Sequence, residues 1–163
     1  MTTTFADLGV NARLLSALAR NSIDTPVTVQ VEAIPPLLRG RDVVIQAPTG
    51  SGKTLAFILP LIERLMAVGG PGPRALVVTP TRELAIQVDR VFQSLSTGLK
   101  SALLYGGVGY VTQEHALKAG VDVVIGTPGR TLDMVSRRRL SQAVNQHRQW
   151  QYYHGWRRRP NAS

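Results

Sequence analysis

Ala47-Pro48-Thr49-Gly50-Ser51-Gly52-Lys53-Thr54 decides how the rest of the chain is read. Just before it, Val43, Val44 and Ile45 form a short apolar, β-branched run bounded by Asp42 and by the Pro48-Thr49-Gly50 turn, which reads as a buried strand. Just after it, Leu55, Phe57, Ile58, Leu61 and Leu65 recur at helical spacing, with a bend expected at Pro60. A glycine-rich turn between strand and helix, closed by lysine and a hydroxyl residue, is the context that a phosphate-binding loop requires. Gly50 and Gly52 let the backbone curl so that successive N–H groups face phosphate oxygens, and the helix start adds the positive end of its dipole. The Lys53 ammonium can reach the β and γ phosphates of a nucleotide, and the Thr54 hydroxyl suits a magnesium ion. Ala47 replaces the first glycine of the general pattern, so the loop is a variant. By itself it leaves kinases, transporters and many ATPases or GTPases open.

Working outward, Asn11 can cap a helix carrying Leu14, Leu15 and Leu18, which ends at Asn21 and Ser22. A second helix is expected over residues 28–39, with Pro35 and Pro36 limiting its regularity. Beyond the loop the pattern alternates: strands at 75–78, 101–105 and 121–125, helices at 82–95 and around 113–118. Strands alternating with helices at this spacing predict an α/β fold, a parallel sheet with flanking helices and right-handed crossovers.

Of 163 residues, 44% are hydrophobic, enough for one domain with a real core. No cysteine is present, which excludes disulfides, thiolate metal sites and cysteine nucleophiles, and His115, His147 and His154 have no useful ligand spacing. No signal segment and no uncharged run of membrane-spanning length occurs, so a cytoplasmic protein without membrane contact is expected. The net charge of +9 is unevenly placed: residues 1–136 hold 12 Lys+Arg against 10 Asp+Glu, whereas residues 137–163 hold seven arginines and no acid. The pI therefore describes the tail and says little about a site in the body.

The ordered set of short segments resembles the DEAD-box ATP-dependent RNA helicases over roughly four-fifths of the chain. Residues 47–54 match that family's form of the Walker A loop, in which alanine comes first. Pro80-Thr81-Arg82-Glu83-Leu84-Ala85 resembles its motif Ia, Gly106-Gly107 its glycine pair, and Thr127-Pro128-Gly129-Arg130 its motif Ib. Residues 22–30 look like the adenine-recognising Q motif, with Phe5 at the position of its distant aromatic. Ser22 and Val27 depart from it, standing where the family usually has glycine and threonine.

The resemblance implies a RecA-like nucleotide-binding domain over residues 1–136, present only in part, with ATP and Mg2+ as cofactors and RNA as partner. Gln30 would hydrogen-bond the adenine edge and Phe5 would stack on or beside the base; an amide suits the task because it offers donor and acceptor together. Pro80, Thr81 and Arg82, Gly106 and Gly107, and Thr127, Pro128, Gly129 and Arg130 would contact the RNA sugar-phosphate backbone, which makes binding sequence-tolerant and salt-sensitive. Glu83 fits a helix-start or loop-bracing carboxylate better than a catalyst.

No Asp-Glu-Ala-Asp segment occurs in the sequence. That acidic pair would orient magnesium and the attacking water, so binding without hydrolysis is expected from this chain alone. Marginal stability is also expected, because strands that would flank the phosphate-loop strand are not among these residues. After Ser136, arginine, glutamine and tryptophan replace the aliphatic pattern, so residues 137–163 are expected to be a basic, disordered tail. Two origins fit it: a reading frame lost inside a helicase gene, or a genuine arginine-aromatic tail using Trp150, Tyr152, Tyr153 and Trp156 to bind RNA. The second would make the chain a nonenzymatic RNA-binding or interfering module. Its oligomeric state is not encoded in these patterns.

Overall fold

Asn11 begins the first helix as the sequence requires, its side-chain oxygen accepting a hydrogen bond from the Leu14 N–H at 3.0 Å. The computed structural model describes residues 2–95, 97–137 and 152–154. Within them lie helices α1 (Ala12–Arg20), α2 (Thr28–Leu38), α3 (Lys53–Ala67), α4 (Arg82–Ser94), α5 (Tyr110–Lys118) and α6 (Pro128–Ser136). The strands are β1 (Ala75–Val78), β2 (Ser101–Leu104), β3 (Val123–Gly126) and β4 (Tyr152–His154), and they form one parallel sheet in the order β2-β3-β1-β4.

The two-residue period of a strand sends alternate side chains to opposite faces. Ala75, Val77, Val123 and Ile125 join the larger core, built with Leu14, Leu18, Ile34, Ile58, Leu59, Ile62, Val88 and Phe92 from α1 to α4. Leu76 and Val124 turn the other way, onto Ala102, Leu104, Val121 and Met134, with Leu117 of α5 packed against them. Because both faces are covered, β3 is buried at every position, and its sequence is apolar throughout rather than alternating. The β2 strand at the edge alternates buried and half-buried residues. The α3 helix is the central pillar. Ile58, Leu59, Leu61 and Ile62 are all 2% exposed or less, and Glu63 accepts both the backbone N–H and the side-chain amide of Asn11, at 2.6 and 2.8 Å.

Two sequence expectations change. The run Val43-Val44-Ile45 is not a strand, and Val44 is 97% exposed. Its β-branched residues have strand propensity, but propensity is realised by packing against neighbours, and no described segment forms a ladder with it. The β1 edge that faces away from β3 is instead paired with β4, in the register Leu76 with Tyr152 and Val78 with His154. The expected disorder after Ser136 is thus not seen over Tyr152–His154, where the backbone is a strand; the readings of residues 138–151 and 155–163, including Trp150 and Trp156, lie outside the described residues.

Ser22 shows why glycine suits its position. It follows the α1 C-cap with φ +56, inside the left-handed region where an L-residue is disfavoured by roughly 1–2 kcal/mol. At Val27 the departure has another consequence. Valine has no side-chain acceptor for the first turn of α2, so only the reciprocal half of a capping box exists, in which Gln30 Oε1 accepts the Val27 N–H at 3.0 Å.

Candidate functional site

The phosphate-loop segment ends in a left-handed glycine that starts a helix. Gly50 has φ +78 and Gly52 φ +89, and Gly52 is the N-cap of α3. No side chain caps α3 and no acid lies in its first turn, so the positive end of its dipole has no built-in anion. Lys53 folds back over the loop. Its ammonium donates to the carbonyls of Ala47 and Pro48, with Ser51 Oγ at 3.5 Å. Ammonium, Ser51 hydroxyl and uncapped helix start therefore converge at one place. Thr54 is half-buried one residue further on, and Pro48 and Thr49 are exposed at the rim.

Gln30 is brought to this loop from α2. It is only 3% exposed; Nε2 donates to the Gly52 carbonyl at 3.1 Å while Oε1 accepts from Val27. The approach is so close that a Cβ on Gly52 would lie 2.7 Å from Gln30 Nε2 and 2.8 Å from Val27 Cγ2. Gln30 is thus a strut between α2 and the loop, and these bonds use one of its two N–H groups and one of its two lone pairs. Phe5 is placed elsewhere. Its ring is 2% exposed inside the larger core, so its faces are covered by core side chains, which departs from the expectation that it stacks on a base.

The other predicted segments meet at the carboxyl ends of three adjacent parallel strands, the place where open α/β sheets bind ligands. Pro80, Thr81 and Arg82 follow β1; Gly106 and Gly107 follow β2; Thr127, Pro128, Gly129 and Arg130 follow β3. Backbone bonds lock these ends together, Thr79 N–H to Gly126 O at 2.9 Å and Thr127 N–H to Leu104 O at 2.8 Å. Thr81 caps α4 through its hydroxyl, which accepts from the Leu84 N–H at 3.2 Å, and Glu83 sits in the first turn as expected of a helix-start carboxylate. Gly107 has φ +82, and a Cβ there would lie 3.7 Å from Arg82 Nη1.

Each arginine lies against a tyrosine ring, Arg82 exposed and Arg130 half-buried. The Arg82 guanidinium lies 4.6 Å from the centre of the Tyr105 ring. That of Arg130 lies 4.1 Å from the Tyr110 ring, and it donates to Val108 O at 3.1 Å and to Gln113 Oε1 at 3.0 Å. Sequence reading missed Tyr105, Tyr110 and Gln113. The available signal was an aromatic on each side of the glycine pair. The Tyr110 hydroxyl also donates to Asp133, which bonds Arg137 at 3.0 Å. Those two donors, Tyr110 first, hold the Asp133 carboxyl below the usual carboxylate range, so the link persists through neutral pH and is lost only as acid takes the pH through that lowered value.

Comparison with known proteins gives the family. The profile of the DEAD/DEAH box helicase family matches residues 27–149. The chain belongs to that family. The RNA helicase CrhR of Synechocystis is 44% identical over 86% of this chain and 28% of its own length. The ATP-dependent RNA helicase DeaD of Escherichia coli K12 is 48% identical over 83% and 22%. Among solved structures, a DEAD box protein from the hyperthermophile Methanococcus jannaschii superposes with a TM-score of 0.77 at 40% identity, over 86% of this chain and 39% of the other. This DEAD-box chain therefore spans less than a third of those two curated relatives, and its sheet and helices are part of a RecA-like helicase domain. No helix among the described residues is long and apolar enough to cross a membrane.

Proposed function

We propose that this chain binds ATP through residues 47–54 and RNA through the strand-end arginines, and does not turn ATP over by itself. The observation that carries the reading is the convergence at the start of α3: left-handed Gly50 and Gly52, a helix without a side-chain cap, and the Lys53 ammonium folded into the loop. These residues fit a triphosphate. The carbonyls of Ala47 and Pro48 hold the ammonium where an anion would hold it more strongly, since a charge-assisted bond exceeds a neutral one. Ser51 and the first-turn N–H groups of α3 supply further donors. Bound magnesium nucleotide would supply the negative charge for this cradle, and the Thr54 hydroxyl would serve as a ligand to the metal.

Gln30 reads the base in this proposal. Its remaining N–H and lone pair match the donor and acceptor of the adenine edge, and its link to Gly52 O couples base recognition to the loop. RNA is held by backbone contacts alone, through Arg82, Arg130 and the N–H groups at Thr81, Gly107 and Gly129. The relatives named RNA helicase and ATP-dependent RNA helicase support both ligands.

Displacement of a fluorescent ATP analogue from the full chain tests the nucleotide assignment. ATP is expected to compete about tenfold better than GTP, the worth of one well-placed hydrogen bond; equal potency removes Gln30 from base recognition. No RNA-stimulated phosphate release is expected, and release abolished by Lys53→Ala would contradict binding without turnover.

A further inference from the structure

The two arginines assigned to RNA share a built support, and its residues lie outside the segments 22–30, 47–54, 80–85, 106–107 and 127–130. Tyr105 and Tyr110 flank the Gly106-Gly107 turn, and each ring carries one of the two guanidinium groups, Arg82 at 4.6 Å on Tyr105 and Arg130 at 4.1 Å on Tyr110. Between them lies Gln113, 5% exposed. Its Nε2 donates to Tyr105 O at 2.9 Å and its Oε1 accepts from Arg130 Nη1 at 3.0 Å. One buried amide therefore ties the end of β2, which carries the ring under Arg82, to the arginine that follows β3. The Tyr110 ring also carries the Arg137 guanidinium, at 4.4 Å, and its hydroxyl is fixed on Asp133.

We infer that Gln113 and Tyr110 are positioning residues for RNA: they hold Arg130 facing the phosphate track, and Gln113 sets its spacing from Arg82 through Tyr105. This rests on the RNA-backbone reading above. The physical reason is preorganisation. An arginine on a solvated surface loses side-chain freedom when it grips a phosphate, whereas Arg130 is already held by a ring, a carbonyl and an amide. Those contacts use three of the five N–H donors of its guanidinium and leave two for a phosphate. Gln113 suits a buried tie because one amide both donates and accepts; alanine would remove the amide donor from Tyr105 O and one of the three hydrogen bonds of Arg130.

The test is binding of a fluorescent oligouridylate of about 12 nucleotides, within the usual range of single-strand sites, to the full chain and its variants, with affinity for a fluorescent ATP analogue measured on the same samples. Gln113→Ala is expected to weaken oligouridylate binding about tenfold and Tyr110→Leu about fivefold, with ATP-analogue affinity unchanged. Tyr110→Phe, which keeps the ring, stays within about twofold of the parent. In an Arg130→Ala background, Gln113→Ala has little further effect, because it acts through that arginine. Full additivity of the two substitutions overturns the inference, as does a parallel loss of RNA and ATP-analogue affinity, which marks a general packing role. If Arg130→Ala weakens binding while Gln113→Ala and Tyr110→Leu do not, the inference fails and the RNA reading stands. If the parent shows no salt-sensitive binding at all, the RNA reading fails and the inference with it.

Discussion

Gly52→Ala is expected to lower nucleotide affinity at least roughly 100-fold while the sheet stays folded, an effect of about 3 kcal/mol. Two costs add at this position. An L-residue at φ +89 loses roughly 1–2 kcal/mol from backbone sterics alone. The new Cβ would also stand 2.7 Å from Gln30 Nε2 and 2.8 Å from Val27 Cγ2, so α2 or the loop must move. Gln30 is too buried to swing aside, and movement of the loop spoils the direction of its N–H groups. Gly50→Ala is the informative companion. It shares the left-handed backbone at φ +78 but meets nothing within 4 Å, so only the conformational cost applies and a loss of about tenfold is expected. Titration calorimetry with magnesium ATP on both variants gives the comparison. Equal affinities for the two would mean that the Gln30 contact does not shape the loop.

The second large effect concerns RNA. Arg82→Ala with Arg130→Ala is expected to weaken single-stranded RNA binding about 50-fold or more at moderate salt, since each removes a charge-assisted contact worth roughly 1.5–3 kcal/mol in favourable geometry. Charge counting gives a sharper readout than affinity. Each phosphate contact on a single strand contributes about 0.7 to the slope of log affinity against log salt, so the double substitution should flatten that slope by about 1.4. Weakening should be uniform across RNA sequences, because no base edge is read. A loss confined to particular sequences, or an unchanged salt slope, would remove these arginines from the phosphate track.

What the sequence made legible and what it hid divide along a physical line. The helix starts at Gly52, Thr81 and Thr127 were readable because local chemistry marks them: glycine where φ turns positive, threonine before a helix, proline in its first turn. Sheet order made the remaining work easy, since parallel strands place Arg82, Gly107 and Arg130 at one edge once each segment is known to follow its own strand. The failures were all long-range. Val43, Val44 and Ile45 have the composition of a strand, and composition cannot supply a pairing partner. Phe5 matches a base-side ring by its position alone, whereas its burial in the core with Leu8, Val10 and Leu14 is set by the fold. Gln113 stands 17 positions from Arg130 and 8 from Tyr105, so no local pattern announces that one amide serves both. Arginine on a tyrosine face is similarly a property of the fold.

Everything turns on whether the backbone amides of residues 47–54 close around a triphosphate. Nitrogen–proton correlation spectra of the full chain, recorded as magnesium ATP is added, address this directly. The account predicts saturable shifts at Gly50, Ser51, Gly52, Lys53 and Thr54, with Gln30 side-chain amide signals moving in step. Unmoved signals at those positions in a folded sample, with saturating nucleotide present, would contradict it.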